Sequence, residues 1–156
     1  MSPEVLRYDE DAAFTLADDA ATVARIVRTV PLARLQGTLF GEWSALDVIG
    51  HLADTAERFA DRIQRCVDEE VPELPWLDDE LIVRERRVGQ DALECSRRLS
   101  ASHARIIALL GRPGVGDRRG RLGAEGEVPA GHLAAYQARH AHGHAGELAR
   151  TFPPGR

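Results

Sequence analysis

Six histidines occur in the chain, and three of them, His140, His142 and His144, fall within five residues. Residues four apart on an α-helix share one face, about 5–6 Å apart at Cβ, close enough for two imidazoles to reach one cation. His140 and His144 meet that spacing, whereas His142 lies about 200° round the helix from His140 and points away. At about 100° per residue, Leu133, Tyr136, Gln137, Glu147 and Thr151 fall close to the pair, with Leu148 at the border. Ala135, His142 and Gly146 take the opposite side. The pair therefore faces the side with the large apolar residues. Imidazoles withdrawn from water need partners; hydrogen bonds are one solution and a shared divalent cation is the other.

His51 is the natural third ligand. It borders an apolar stripe centred near Leu52 and Ile63, and its own face carries Asp47, Thr55, Arg58 and Arg62. Asp47 or Asp54 is placed to accept its second ring N–H, a common way of orienting a ligating histidine. Three neutral imidazoles leave one or more coordination positions open, as catalytic metal sites do. Imidazole-only ligation suits Zn, Ni, Cu, Co or Fe, and zinc or nickel is the expected divalent ion. Glu147, one turn from His144, is the candidate catalytic carboxylate. Arg58 and Arg62 are candidate cofactor-binding anion contacts if their face lines the cleft, and a solvated face otherwise. His103 and His132 read as surface or hydrogen-bonded histidines, and His142 as exposed. Cys66 and Cys95 are too few for a disulfide scaffold and lack metal-type spacing or a nearby base, so both read as reduced structural residues on helices.

Four helical patterns position these groups. The first spans about Asp11 to Thr29 through Phe14, Leu16, Ala20, Val23, Ile26 and Val27, and Pro31 closes it. A linker from about Leu32 to Trp43 contains Gly37 and Gly41. Ser44 followed three places on by Asp47 reads as a capped helix start, and that helix runs to about Val67. Pro72 and Pro75 break the chain before Trp76. The acids Asp78, Asp79 and Glu80 suit the start of a third helical region. Gly89 interrupts it, and a stronger pattern follows from Gln90 to Leu110. Seven glycines or prolines between Gly111 and Gly126 mark an irregular connection to about Val128. Pro129 suits the first turn of a last helix ending near Thr151. The pattern predicts an all-α four-helix bundle. It forms one domain over residues 1–156, with its core at about 11–152 and a frayed tail at 153–156.

Composition narrows the function classes. The chain has 156 residues, 44% hydrophobic and 29% charged, with a net charge of −5. Those values suit one globular domain and exclude a generally basic surface for nucleic acid or anionic membranes. Every one of its 20 basic residues is Arg, which excludes Schiff-base and P-loop lysine chemistry. The charged N-terminal residues lack a signal-peptide pattern, and no apolar run is long enough to span a bilayer, so a cytoplasmic location is expected. The expected partner is a small-molecule substrate, with no nucleic acid and no membrane. Exposed helix faces are compatible with a homodimer.

The stretch from Trp43 to Asp54, WSALDVIGHLAD, resembles the second-helix motif of the DinB/YfiT-like superfamily, in which a Trp-Ser/Thr start leads into a His-Leu-x-Asp element. Pro75-Trp76 resembles its proline–aromatic segment, and Leu122 through Pro129 its loop before the last helix. His140 to Leu148 resembles its terminal His-x-x-x-His motif. Order and spacing agree from about residue 11 to residue 152. The resemblance implies an up-down-down-up four-helix bundle with a divalent metal on three histidines, which carry over to His51, His140 and His144. Members include transferases and isomerases that use low-molecular-weight thiols such as mycothiol or bacillithiol, and others described as metal-dependent hydrolases. Glu147 stands where YfiT-like members can place a further histidine, and His142 has no clear counterpart. The expected function is a metal-dependent enzyme activating water or a low-molecular-weight thiol for hydrolysis or thiol transfer. The alternative is a stress-related bundle that binds a metal or small ligand without turnover.

Overall fold

The computed structural model describes residues 4–75 and 90–155. Its long helices are α1 (Glu10–Thr29), α3 (Ala45–Asp68), α4 (Ala92–Leu110) and α5 (Ala130–Thr151), with a short α2 (Leu32–Gly37) after the first. Three of the expected long-helix starts are realised through side-chain caps, whereas the last follows Pro129 without one. Asp9 accepts from the Ala12 amide at 2.9 Å and Asp91 from the Glu94 amide at 3.1 Å, heading α1 and α4. Ser44 and Asp47 form a reciprocal capping box on α3, satisfying two amides that a helix start leaves without intrahelical partners.

The packing order differs from the chain order. Helix α3 lies against α4 and α5, and α1 lies against the same two, so α1 and α3 occupy opposite corners of the bundle. Two apolar clusters fix the directions. One holds Ala20, Val23 and Ile26 from late α1, Ile49 and Leu52 from early α3, Leu99 from early α4 and Leu148 from late α5. The other holds Leu16 from early α1, Ile63 from late α3, Ile106 from late α4 and Leu133 from early α5. The run is therefore up, down, down, up, as the resemblance implied.

Two connections hold more order than their sequence announced. Strands β1 (Leu39–Phe40) and β2 (Trp43–Ser44) form an antiparallel hairpin that delivers Trp43 to the head of α3. Its turn holds Gly41 at φ +64°, a conformation that favours glycine. Strands β3 (Arg119–Arg121) and β4 (Glu127–Pro129) form a second hairpin before α5. Arg118 ties this hairpin to the end of α3, donating to the Cys66 carbonyl at 3.0 Å and to those of Val67 and Glu69 at 3.3 and 3.2 Å. These are carbonyls that a helix C-terminus leaves exposed, and a cation there is favoured. Gly120 lets the hairpin pack closely here, because a Cβ would lie 2.6 Å from the Leu74 side chain and 2.9 Å from the Cys66 sulfur and would force them to shift.

Strands of two or three residues are too short to show apolar alternation, so neither hairpin was legible in the pattern. Phe14, placed by periodicity on the apolar face of α1, is 70% exposed. The expected region at Asp78–Glu80, with Trp76 and Gly89, lies outside the described residues. Among the described residues, no helix is long and apolar enough to cross a membrane. Cys66 and Cys95 are both free and buried on helices, and burial pushes both thiols up.

Candidate metal centre

α3 carries His51 and α5 carries His140 and His144. Helix α5 approaches closely because much of its inward surface is alanine: Ala134, Ala138, Ala141 and Ala145 are all buried. His51 is 5% exposed, held on a turn whose neighbours Ile49 and Leu52 are fully buried. Thr55 donates to the His51 carbonyl at 3.0 Å.

One ring nitrogen from each of His51, His140 and His144 lies within 4.8 Å of the other two. The Nε2 atoms of His51 and His140 are 3.2 Å apart. The three rings meet nearly edge to face, with centroids 5.1, 5.2 and 4.8 Å apart. Two neutral imidazoles can share one proton between facing nitrogens, but that arrangement is incomplete here. The His51 Nδ1 is buried and, among the described residues, has no partner. Whether this nitrogen carries the proton or the lone pair, the hydrogen bond it would make in water is lost.

A divalent ion fits this donor set. Nitrogen ligands about 2.0–2.1 Å from a tetrahedral ion lie about 3.3–3.4 Å from one another, close to the 3.2 Å between His51 and His140. Ligation needs the neutral imidazole, and burial together with the charges of His140 and His144 lowers His51 to about 3. Among the described residues no carboxylate belongs to the group.

The other expected residues are placed differently. The Asp47 carboxylate accepts from the Ser44 amide at 2.9 Å, and Asp54 accepts from Arg98 at 2.6 Å. Neither supplies the expected acceptor for His51, because helix capping and an α3–α4 ion pair engage them. Glu147 is exposed on α5, outside the group. Arg62 is not a solvated residue. It is 5% exposed, donates to the Pro75 carbonyl at 2.5 Å, and sits 5.6 Å above the Phe59 ring. Burial and the charge of Arg58 both lower its pKa. Arg58 itself is half-buried.

The remaining histidines are engaged elsewhere. His103 is buried, donating from Nδ1 to the Leu16 carbonyl at 2.7 Å and accepting at Nε2 from Gln137 at 3.0 Å. His132 accepts from the Leu6 amide at 2.9 Å. His142 points away as expected, exposed and 3.2 Å from the buried carboxylate of Asp19.

The sequence placed Tyr136 near the histidine pair, but not Trp43 against His51 or Phe59 behind the tyrosine. Trp43 stands edge to face against His51, with centroids 4.8 Å apart. Tyr136 lies parallel to His140 at 6.5 Å and stacks on Phe59 at 5.5 Å. The available signals were Tyr136 four residues before His140 and Trp43 immediately before the capping box.

The family model of the DinB superfamily matches residues 12–148. The structure is similar to that of YfiT from Bacillus subtilis, described as a probable metal-dependent hydrolase with an unusual four-helix bundle topology. The TM-score is 0.74 at 19% identity, covering 99% of this chain and 95% of that one. No curated protein matches the sequence. With three histidines from two helices brought together and the family model matching most of the chain, the protein belongs to the DinB superfamily.

Proposed function

We propose that this protein is a metal-dependent enzyme whose divalent ion is held by His51, His140 and His144, and which acts on a small molecule through a water or a low-molecular-weight thiol. The observation that carries the reading is the convergence of three ring nitrogens beside a buried His51 Nδ1 that has no partner among the described residues. The description of YfiT as a probable metal-dependent hydrolase agrees with it. When bound, zinc or nickel at such a site supplies Lewis acidity, which brings the pKa of a water or thiol toward neutrality.

The chain's own residues do the rest. Burial keeps His51 neutral and so available as a ligand. Glu147, one turn beyond His144, is the proposed proton acceptor, and its exposed position means it acts through an intervening water. Arg58 and Arg62 are the proposed contacts for an anionic group of a thiol cofactor, since an anion beside them offsets the burial and the Arg58 charge that lower Arg62.

One observation favours a second reading, a metal-binding bundle without turnover: among the described residues no acid or base joins the three histidines. Elemental analysis of wild type and His144→Ala, purified without added metal, tests the shared premise. About one divalent ion per wild-type chain and background metal in the variant are expected. Wild type that carries none, and takes up none when offered zinc or nickel, overturns both readings. With metal in hand, hydrolysis or thiol transfer that disappears in His144→Ala separates the enzyme from the binding module.

A further inference from the structure

The three histidines stand between two aromatic residues from different elements. Trp43 of β2 meets His51 on one side, and Tyr136 lies parallel to His140 on another, with an interplanar angle of 9°. Tyr136 is 47% exposed, whereas Phe59 behind it is 5% exposed. The Phe59 and Tyr136 rings stack at 22°. The tyrosine is thus held against a buried ring, one turn before a proposed ligand, while about half of its surface remains open. An aromatic face held in this way is a stacking surface whose order is already established before a ligand arrives.

The charge of the site adds a second condition. A divalent ion on three neutral imidazoles would carry its full charge, because among the described residues no carboxylate joins the group. Such a centre favours a ligand whose donor atom is itself ionised, since pairing opposite charges at a half-buried site compensates their desolvation. Beside Tyr136, the rest of that ligand meets an aromatic ring, which favours a planar body.

We propose that the site takes ligands that join an ionised thiolate or oxyanion to an aromatic ring, and that Tyr136 determines this preference by stacking. The inference rests on the metal reading of His51, His140 and His144 and specifies the ligand class for the same site. Tyr136 contacts the ligand's body and takes no part in holding the ion.

The test uses cobalt(II)-loaded wild type, Tyr136→Phe and Tyr136→Ala, titrated with thiophenol and 2-mercaptoethanol and followed by the cobalt absorption bands. The readout is the ratio of the two affinities, compared across variants so that the different acidities of the thiols cancel. Wild type and Tyr136→Phe are expected to share one ratio, and Tyr136→Ala to lose about three- to tenfold of the preference for thiophenol, the scale of one aromatic stack. Equal cobalt uptake by all three shows that the ligand set is intact. An unchanged ratio in Tyr136→Ala with normal uptake overturns the stacking role and leaves the metal reading standing. A ratio that falls equally in Tyr136→Phe also overturns it, because the hydroxyl and not the ring would then carry the preference. Failure of wild type to take up cobalt removes the metal reading and this inference together.

Discussion

Two histidines are buried in this bundle, His103 and His51, and their nitrogens are used in opposite ways. At His103 both ring nitrogens have partners: the Leu16 carbonyl takes the Nδ1 proton and the Gln137 amide donates to Nε2. Because a carbonyl only accepts, this tautomer is fixed, and the ring ties α1, α4 and α5 together. At His51 the facing nitrogen is His140 Nε2, another imidazole, and the second nitrogen has no partner among the described residues. Both rings are pushed toward the neutral form by burial. Burial alone therefore does not distinguish a structural histidine from a candidate ligand. The distinguishing feature is whether protein atoms satisfy the nitrogens or aim them at one another.

The largest effect expected from that contrast concerns metal removal. If the ion binds only the folded chain, chelation lowers stability by about 3–4 kcal/mol relative to protein holding metal at 100 to 1,000 times its dissociation constant. Thermal unfolding of wild type with and without chelator measures this. In His51→Ala the two melting curves should coincide, and in His103→Ala the gap should persist. A chelator effect that disappears in His103→Ala would show that the two regions are one cooperative unit.

His103→Ala itself should cost about 2–4 kcal/mol, from a cavity and from leaving the Gln137 side-chain amide without its acceptor. Urea denaturation measures the loss, and metal content should be unchanged. The same region predicts a pH dependence. Burial lowers the pKa of His103 below its ordinary 6.5. As pH falls through that value the unfolded chain takes up the proton first, so the contribution is complete above about 6.5 and declines below it. Metal-free wild type should lose stability as pH falls from about 7 toward 5. His103→Ala should lose it less steeply, with a residual slope from His51 and His132, whose pKa values burial also lowers. Equal slopes would mean that His103 does not titrate with unfolding.

The same contrast explains what could be read in advance. The nearness of His140 and His144 was legible because residues four apart on one helix share a face, and that of His51 because it borders an apolar stripe on a helix with a recognisable cap. The order of the elements and the up-down-down-up run followed from the family motifs. The His103–Gln137 link was not legible, since it joins residues 34 apart through a contact that only the packing creates. Arg62 misled for a related reason. Its place on α3 suggested a solvated face, but the chain returns over it and the Pro75 carbonyl receives its guanidinium. Asp47 and Asp54 lay near His51 in sequence, and cap and ion-pair geometry engaged them elsewhere. Sequence periodicity locates a side chain on a helix face; it does not choose among the partners that face encounters.

The smallest expected effect asks how far the centre depends on the end of its own helix. In Ser44→Ala the Asp47 amide loses the acceptor it has at 3.0 Å, and the capping box opens. Loss of such a cap costs about 1 kcal/mol, read as a shift in the urea midpoint without a change in slope. Metal content should not change, because His51 lies about two turns further on, where Ile49, Leu52 and Ala53 are fully buried. The core, rather than the cap, then fixes the height of the imidazole on α3. A tenfold loss of metal affinity in Ser44→Ala would contradict that division. It would place the β1–β2 hairpin, through Trp43 against His51, among the supports of the centre, and the contrast with His103 would narrow to one of degree.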